Sequence, residues 1–299
     1  MGTLNRQSAR TGPTVPVFMG VLMTVELSPD EATDPALSPL RNFGNEVMLE
    51  RARTKMSRIE LGKAVACGES LVAKIEKGDR VPQREFAEGC DRVFPDANGR
   101  FVRLWRLVIR YAYPPWFRPY VVLEEKATMV RMFNPQLIPG LVQTPEYARA
   151  ILRTGRPDIL DELLTARLER QRILVREDKP PANLRLVLNE AVLRNVVGDP
   201  AIMRGQLTHL RDLGEVPRNR VQIIPDRGRH HGYQCPFGLL SFSEGADVAH
   251  VDGFPRGYVL AEPDDVSSAQ GAYDLLTAMA ASPDESAELI GVILKGCYP

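Results

Sequence analysis

Apolar positions recur at helical spacing through the first half of the chain, and short continuous apolar runs enter in the second. Phe43 and Val47 open the first stripe, followed by Leu61, Ala64 and Val65, then Leu71, Val72 and Ile75, then Phe86, Cys90, Val93 and Phe94. Stripes of this period and length predict short amphipathic helices. Phe101, Leu104, Trp105 and Val108 predict one more over 101–112, a connector ended by the prolines of Tyr113-Pro114-Pro115-Trp116. Across 120–151 the pattern predicts a helix, an extended crossing punctuated by Pro and Gly, and a second helix begun at Thr144 with Pro145 in its first turn. A long charged helix is expected over 158–177. Leu184–Leu188 and Val221–Ile224 read as short buried strands around a helix of about 199–213. Residues 237–242, 248–251 and 258–260 read as further strands, the first two joined by a hairpin-like SEGAD turn, and helices over 263–280 and 283–295 close the chain.

Cap residues sharpen the reading between 57 and 82. Ser57 stands where an N-cap belongs and Glu60 follows three residues on, the pattern of a capping box that satisfies two orphan donors. Gly68 is expected to make the sharp turn, a second short helix runs from Glu69 to Lys77, and Gly78 stops it in a left-handed conformation. Pro82 then permits a new start. A helix, a tight turn and a second helix at this length is the arrangement that lays one helix in the major groove of DNA.

Composition narrows the picture only a little. The chain has 299 residues, 44% hydrophobic and 25% charged, with a formal net charge of +0, so it is long enough for two domains and is no general polyanion binder. Residues 41–94 carry eleven Lys/Arg against nine Asp/Glu, which points to a dimer with a well-placed basic edge rather than a flood of charge. Cys67, Cys90, Cys235 and Cys297 are scattered without a CxxC pair and read as reduced thiols of a cytoplasmic protein. Residues 15–25 are apolar behind Arg6 and Arg10 but too short to span a bilayer, and no small-x-small cleavage pattern follows, so no membrane role is expected. Residues 1–39 read as a disordered tail, with Met19 and Met23 as alternative starts.

The strings Ser57-Arg58-x-Glu60-Leu61-Gly62 and Ser70-Leu71-Val72-Ala73-Lys74-Ile75-Glu76-Lys77-Gly78-Asp79-Arg80-x-Pro82 resemble the XRE-type regulators, the phage-repressor-like DNA-binding family. The remainder resembles the C-terminal domain, often labelled antitoxin-like, of many actinobacterial XRE-type regulators. Phe133-Asn-Pro-Gln-Leu-Ile-Pro-Gly-Leu-Val-Gln-Thr-Pro-Glu-Tyr-Ala148, Leu188-Asn-Glu-Ala-x-Leu193, Val221-Gln-Ile-Ile-Pro225 and Pro283-x-Glu-Ser286 carry that resemblance in order. Two departures are Asn189, where the family usually has an acid, and Cys67-Gly68-Glu69 at the start of the reading helix. The expected fold class is therefore mainly α with a smaller β component. An all-α helix-turn-helix domain over 40–95 and a connector over 96–118 precede an α+β domain over 119–299. The resemblance implies a sequence-specific transcriptional regulator, a homodimer on an inverted-repeat operator, whose C-terminal domain senses a small partner protein or a small-molecule effector. The alternative it implies is an antitoxin-like protein that neutralises a small neighbouring-gene partner and regulates its own synthesis.

Site residues follow from these helices. Glu69, Ser70, Ala73 and Lys74, in the first turns behind Gly68, are expected to meet base edges: Lys74 a guanine, Ala73 a thymine methyl, Glu69 a cytosine amino group. Arg58, Lys77 and Arg80 are expected to hold phosphates. Asp226, His230, His231, Cys235, Asp247, His250 and Asp252 are metal-capable types, but their spacing fits no standard site, and neither a metal nor a cofactor is expected. Ser241 and Ser243 lack a nucleophile elbow and no Gly-rich phosphate loop precedes a helix, so no enzyme is expected. Trp105, Tyr113, Trp116 and Phe117 are placed to line a junction between the two domains.

Overall fold

The computed structural model describes residues 38–155, 160–226, 235–253 and 256–299; residues 1–37 of the expected tail, His230 and His231 lie outside these. Ser38 and Pro39, expected in the tail, cap and open the first helix, where the Ser38 hydroxyl accepts from the Arg41 amide. Five helices come first: α1 (Pro39–Arg53), α2 (Arg58–Ala64), α3 (Glu69–Glu76), α4 (Arg84–Val93) and α5 (Arg100–Tyr111). Their stripes meet in one core built on Phe43, Val47, Leu61, Ile75, Phe86 and Phe101. The helix expected as a connector is part of that core. Phe101, Trp105, Val108 and Ile109 of α5 are all buried in it, because its stripe is too wide to leave in water. Asp91 at the end of α4 caps α5 from outside by accepting the Phe101 and Val102 amides at 3.0 and 2.9 Å.

The second unit is a six-stranded mixed sheet in the order β3-β2-β1-β4-β5-β6. Its strands are β1 (Met129–Asn134), β2 (Asn183–Asn189), β3 (Arg220–Ile224), β4 (Phe237–Ser241), β5 (Val248–Val251) and β6 (Tyr258–Leu260). The first three are mutually parallel, and β1–β4, β4–β5 and β5–β6 are antiparallel. Parallel pairs need long crossovers. α7 (Pro145–Thr154) and α8 (Leu160–Arg170) connect β1 to β2, and α9 (Glu190–Arg194) and α10 (Pro200–Gly214) connect β2 to β3. The strand at the centre of the mixed sheet, β1, is the segment whose sequence read only as part of an extended crossing. The helix expected over 158–177 ends at Arg170 and tightens into a 3-10 turn over Gln171–Leu174.

Alternation along the strands sorts the two faces. Val130, Leu184, Leu186, Leu188, Ile223 and Leu240 face the larger core under α7, α10 and α12 (Pro283–Cys297). Phe133, Val187, Ile224, Leu239 and Ala249 face α11 (Pro263–Met279) through Val266, Tyr273 and Leu276. The architecture is mainly α with a smaller sheet, an α unit followed by an α+β unit, as the sequence led us to expect. Among the described residues no helix is long and apolar enough to cross a membrane.

The two units meet at a buried ion pair. α6 (Arg118–Lys126) follows the prolines and carries Glu124, whose side chain is 2% exposed; Arg170 ends α8 and is 11% exposed. They bond in a fork, Nε to Oε2 at 2.6 Å and Nη2 to Oε1 at 2.8 Å. The guanidinium lies 4.9 Å from the Phe117 ring, with Tyr113 and Tyr120 at 5.7 and 5.8 Å. His250 of β5 completes the ring, 4.1 Å from Tyr120 between centroids. Its Nε2 has no hydrogen bond among the described residues, with Asp252 Oδ1 only within 3.4 Å. Burial, and then the Arg170 charge, holds the His250 imidazole down at about 4, against a weaker upward pull from Glu124.

This has a pH consequence. Folded His250 stays neutral where the unfolded chain protonates, so its contribution is complete above about pH 6.5 and is lost as pH falls toward 4. His250→Phe is expected to remove that loss. The difference in unfolding free energy between parent and variant should be flat above pH ~6.5 and shift by roughly 3 kcal/mol between there and pH ~4. Urea titrations across that range measure it, and a pH-independent difference contradicts the buried neutral imidazole.

Candidate nucleic-acid interface

The capping box at α2 is present in full. The Ser57 hydroxyl accepts from the Glu60 amide at 3.2 Å, and the Glu60 carboxylate accepts from the Ser57 amide at 2.7 Å. The turn that follows differs from the one expected. Ala66, not Gly68, takes the left-handed conformation, at φ 56, and Gly68 is the extended N-cap of α3. The chain reverses one residue pair earlier than the glycine suggested because the Cys67 amide closes onto the Gly62 carbonyl at 2.7 Å. Gly62 is needed there, since a Cβ on it would stand 2.7 Å from the Cys67 oxygen. Gly78 ends α3 at φ 73, as its position implied.

On α3, Val72 and Ile75 point inward while Glu69, Ser70 and Lys74 are exposed and Ala73 is half-buried. Ser70, Ala73, Lys74 and Lys77 recur at three- and four-residue steps and so share one solvent-facing stripe. Gly68 and Lys77 are exposed at its two ends. Arg58 and Arg80 are differently placed. Arg58 donates from Nε to Glu76 Oε2 at 2.7 Å, with its side chain 40% exposed. Arg80, past the end of α3, pairs with Asp161 of α8, which also takes Arg149 at 2.7 Å.

Two features that the sequence reading passed over hold α3 in place. Gly44 in the middle of α1 lies against the end of α3, where a Cβ would stand 2.2 Å from the Ile75 carbonyl oxygen and 2.7 Å from that of Glu76. Glu76, 2% exposed at its side chain, is gripped from two helices: Arg51 of α1 at 2.7 Å and Arg58 of α2 at 2.7 Å. Burial acts to raise the Glu76 carboxyl, but the Arg51 and Arg58 bonds outweigh it and hold it below its ordinary value of 4.5. A glycine inside a helical stripe was the legible signal for the first; nothing local marks the second.

The metal-capable residues do not converge. Asp247 takes Ser241 Oγ at 2.7 Å and Arg131 at 3.2 Å on the α11 side of the sheet, whereas His250 joins the aromatic ring on the other. The Cys235 thiol donates to the Asp252 carbonyl, and the Asp226 amide donates to Glu190 at 3.0 Å. Among the described residues no three His, Cys, Asp or Glu are grouped to hold a metal. Burial pushes the Cys90 thiol far up, which leaves it an inert core side chain.

A domain of unknown function, DUF5753, matches residues 117–291. The chain belongs to the DUF5753 family. No curated protein and no solved structure matches it. The matched region begins at Phe117, the ring under Arg170, and ends inside α12, so it takes in the whole sheet and leaves α1–α5 before it.

Two substitutions test how α3 is held. Gly44→Ala, which in an open helix gains up to ~1 kcal/mol, is expected here to lose ~2–4 kcal/mol in denaturant unfolding, because backbone oxygens occupy the new methyl's place. Glu76→Gln is expected to cost about 2 kcal/mol, below the ~3–5 of a fully buried pair because Arg58 keeps contact with water. Since the folded Glu76 value is depressed, that difference should be complete above pH ~4.5 and shrink as pH falls through the folded value. A Gly44→Ala variant as stable as its parent would show that α1 and α3 do not touch.

Proposed function

We propose that this protein is a cytoplasmic, sequence-specific DNA-binding regulator. The observation that carries the reading is the exposed stripe of Ser70, Ala73, Lys74 and Lys77 on a short helix fixed by Gly44 and Glu76. Side chains that read base edges must be presented by a rigid element, and a stripe of small and basic residues on a short helix fits a major groove. Glu69 and Ser70 stand at the helix start, where base edges are met, with Lys74 one turn on. Arg58, whose side chain stays 40% exposed, and Lys77 are assigned to phosphates, and Arg80 to phosphate once released from Asp161. One such helix gives few base contacts, so the reading includes a homodimer on two half-sites about 34 Å apart.

The DUF5753 region is assigned to sensing a partner protein or small effector. Its route to the reading helix is short: Arg80, just beyond α3, is held by Asp161, and Arg84 of α4 reaches Glu169 of α8 at 3.5 Å. A ligand that moves α8 therefore acts on the segment that follows α3.

Binding of the purified full chain to its own promoter fragment, against scrambled DNA across a salt series, tests the reading. Preference for the promoter with a steep salt slope is expected. Lys74→Ala should cost about 1–3 kcal/mol on the promoter and relax one base position, while Arg58→Ala should weaken all sequences alike. Absence of any preference at every salt concentration sinks the regulator and leaves the antitoxin-like reading, in which the sheet domain binds a small protein.

A further inference from the structure

A cleft opens between α4 and α5 on one side and α6, α8 and the 3-10 turn after it on the other, with about 200 Å³ of space. Trp105, Ile109, Val121 and Ile173 give it an apolar floor. The Trp105 indole is fixed there by donating to the Pro82 carbonyl at 2.9 Å. Of the aromatics expected at the junction, Trp105 is the one that faces this space; Tyr113 and Phe117 serve the buried ion pair instead.

The walls are strongly cationic, with seven Lys or Arg side chains against four carboxylates. How they are paired matters more than how many there are. Arg170 is spent on Glu124, and Arg176 donates to the carbonyls of Pro180, Glu125 and Ala127. Arg84 is spent on Glu88 at 2.7 Å, and it and Arg172 reach a single oxygen of Glu169 only at 3.5 and 3.4 Å, too long for a strong charge-assisted bond. Burial also pushes the Glu169 carboxyl up, against the downward pull of Arg172 and Arg84. Arg106 and Arg110 stand one turn apart on α5, both on the cleft, and neither guanidinium has a hydrogen bond or ion pair to any described residue. Like charges at that spacing repel and gain most from an anion between them.

We infer that this cleft binds a small organic anion, a compact apolar body bearing one phosphate or carboxylate group. The apolar body rests on Trp105 and Ile109, and Arg106 and Arg110 take the anion with help from Arg172. The volume is small beside the ~300–1,000 Å³ of common ligand sites, which admits a single ring and excludes a dinucleotide or a peptide. Both units contribute walls, so an occupant braces α5 against α8. The inference names the ligand class for the effector side of the regulator reading and rests on that reading for its biological meaning. Binding is read on the protein without DNA, so the two fail separately.

The test uses the full chain carrying Trp116→Phe, which leaves Trp105 as the one tryptophan of the two present. Trp105 emission and calorimetry follow titration with phenyl phosphate, phenylacetate, inorganic phosphate and phenol. At least one of the two ring-bearing anions is expected to saturate, about tenfold or more tighter than inorganic phosphate or phenol. Arg106→Ala with Arg110→Ala should weaken it about tenfold or more at an unchanged melting temperature, since neither guanidinium has a partner to lose. The proposal is overturned if neither ring-bearing anion saturates by ~10 mM, if phenol or inorganic phosphate binds as tightly, or if the double variant keeps the parent's affinity.

Discussion

A guanidinium buried among three aromatic rings is tolerable only if its charge is answered, and Glu124 answers that of Arg170 with a two-point fork. The pair ties α8 to a segment 46 residues earlier in the chain. Glu124 and the Tyr120 ring come from the helix that begins the DUF5753 region, Arg170 from the crossover between β1 and β2, and the Tyr113 and Phe117 rings from the proline-broken stretch before α6. His250 of β5 packs on the same rings, so the sheet is locked to the junction as well. Loss of either charge leaves the other buried without its counter-charge.

From that anchor the arrangement of the first unit follows. With α8 fixed, its Ala166 enters the core of the helical unit, and Asp161 and Glu169 on the same helix reach Arg80 and Arg84. The helical unit is therefore no bead on a free tether. α5, which the stripe suggested as a connector, is the element both units share, packed on α1 and α4 on one side and on α6 and α8 on the other. The cationic cleft lies along that shared helix, which places its proposed ligand where the two units are coupled.

Much of this was legible residue by residue. The capping box at Ser57 and Glu60, the stop at Gly78 and the outward stripe from Ser70 to Lys77 depend on contacts within one or two turns, so local pattern predicts them. The strands β2 to β6 were visible as short apolar runs. β1 was not, because Met129–Asn134 carries Arg131 and Asn134 amid its apolar residues and is a strand only by virtue of β2 and β4 on either side. The turn between α2 and α3 misled for a related reason. Glycine is the residue that most readily turns left-handed, but here Ala66 does so and Gly68 caps α3, because the Cys67 amide closes onto Gly62.

The sequence by itself determined most of the helices, the capping box at Ser57, the two-unit order and the face that α3 offers to solvent, since each rests on spacing and short-range hydrogen bonding. Tertiary structure alone decided which charges are spent and which are free. Arg58 and Arg80 are engaged by Glu76 and Asp161, Arg170 is buried on Glu124, and Arg106 and Arg110, beside Trp105, have no side-chain partner among the described residues. In sequence these arginines are alike. They differ only once folding has brought carboxylates from 18, 46 and 81 residues away to some of them and none to the others.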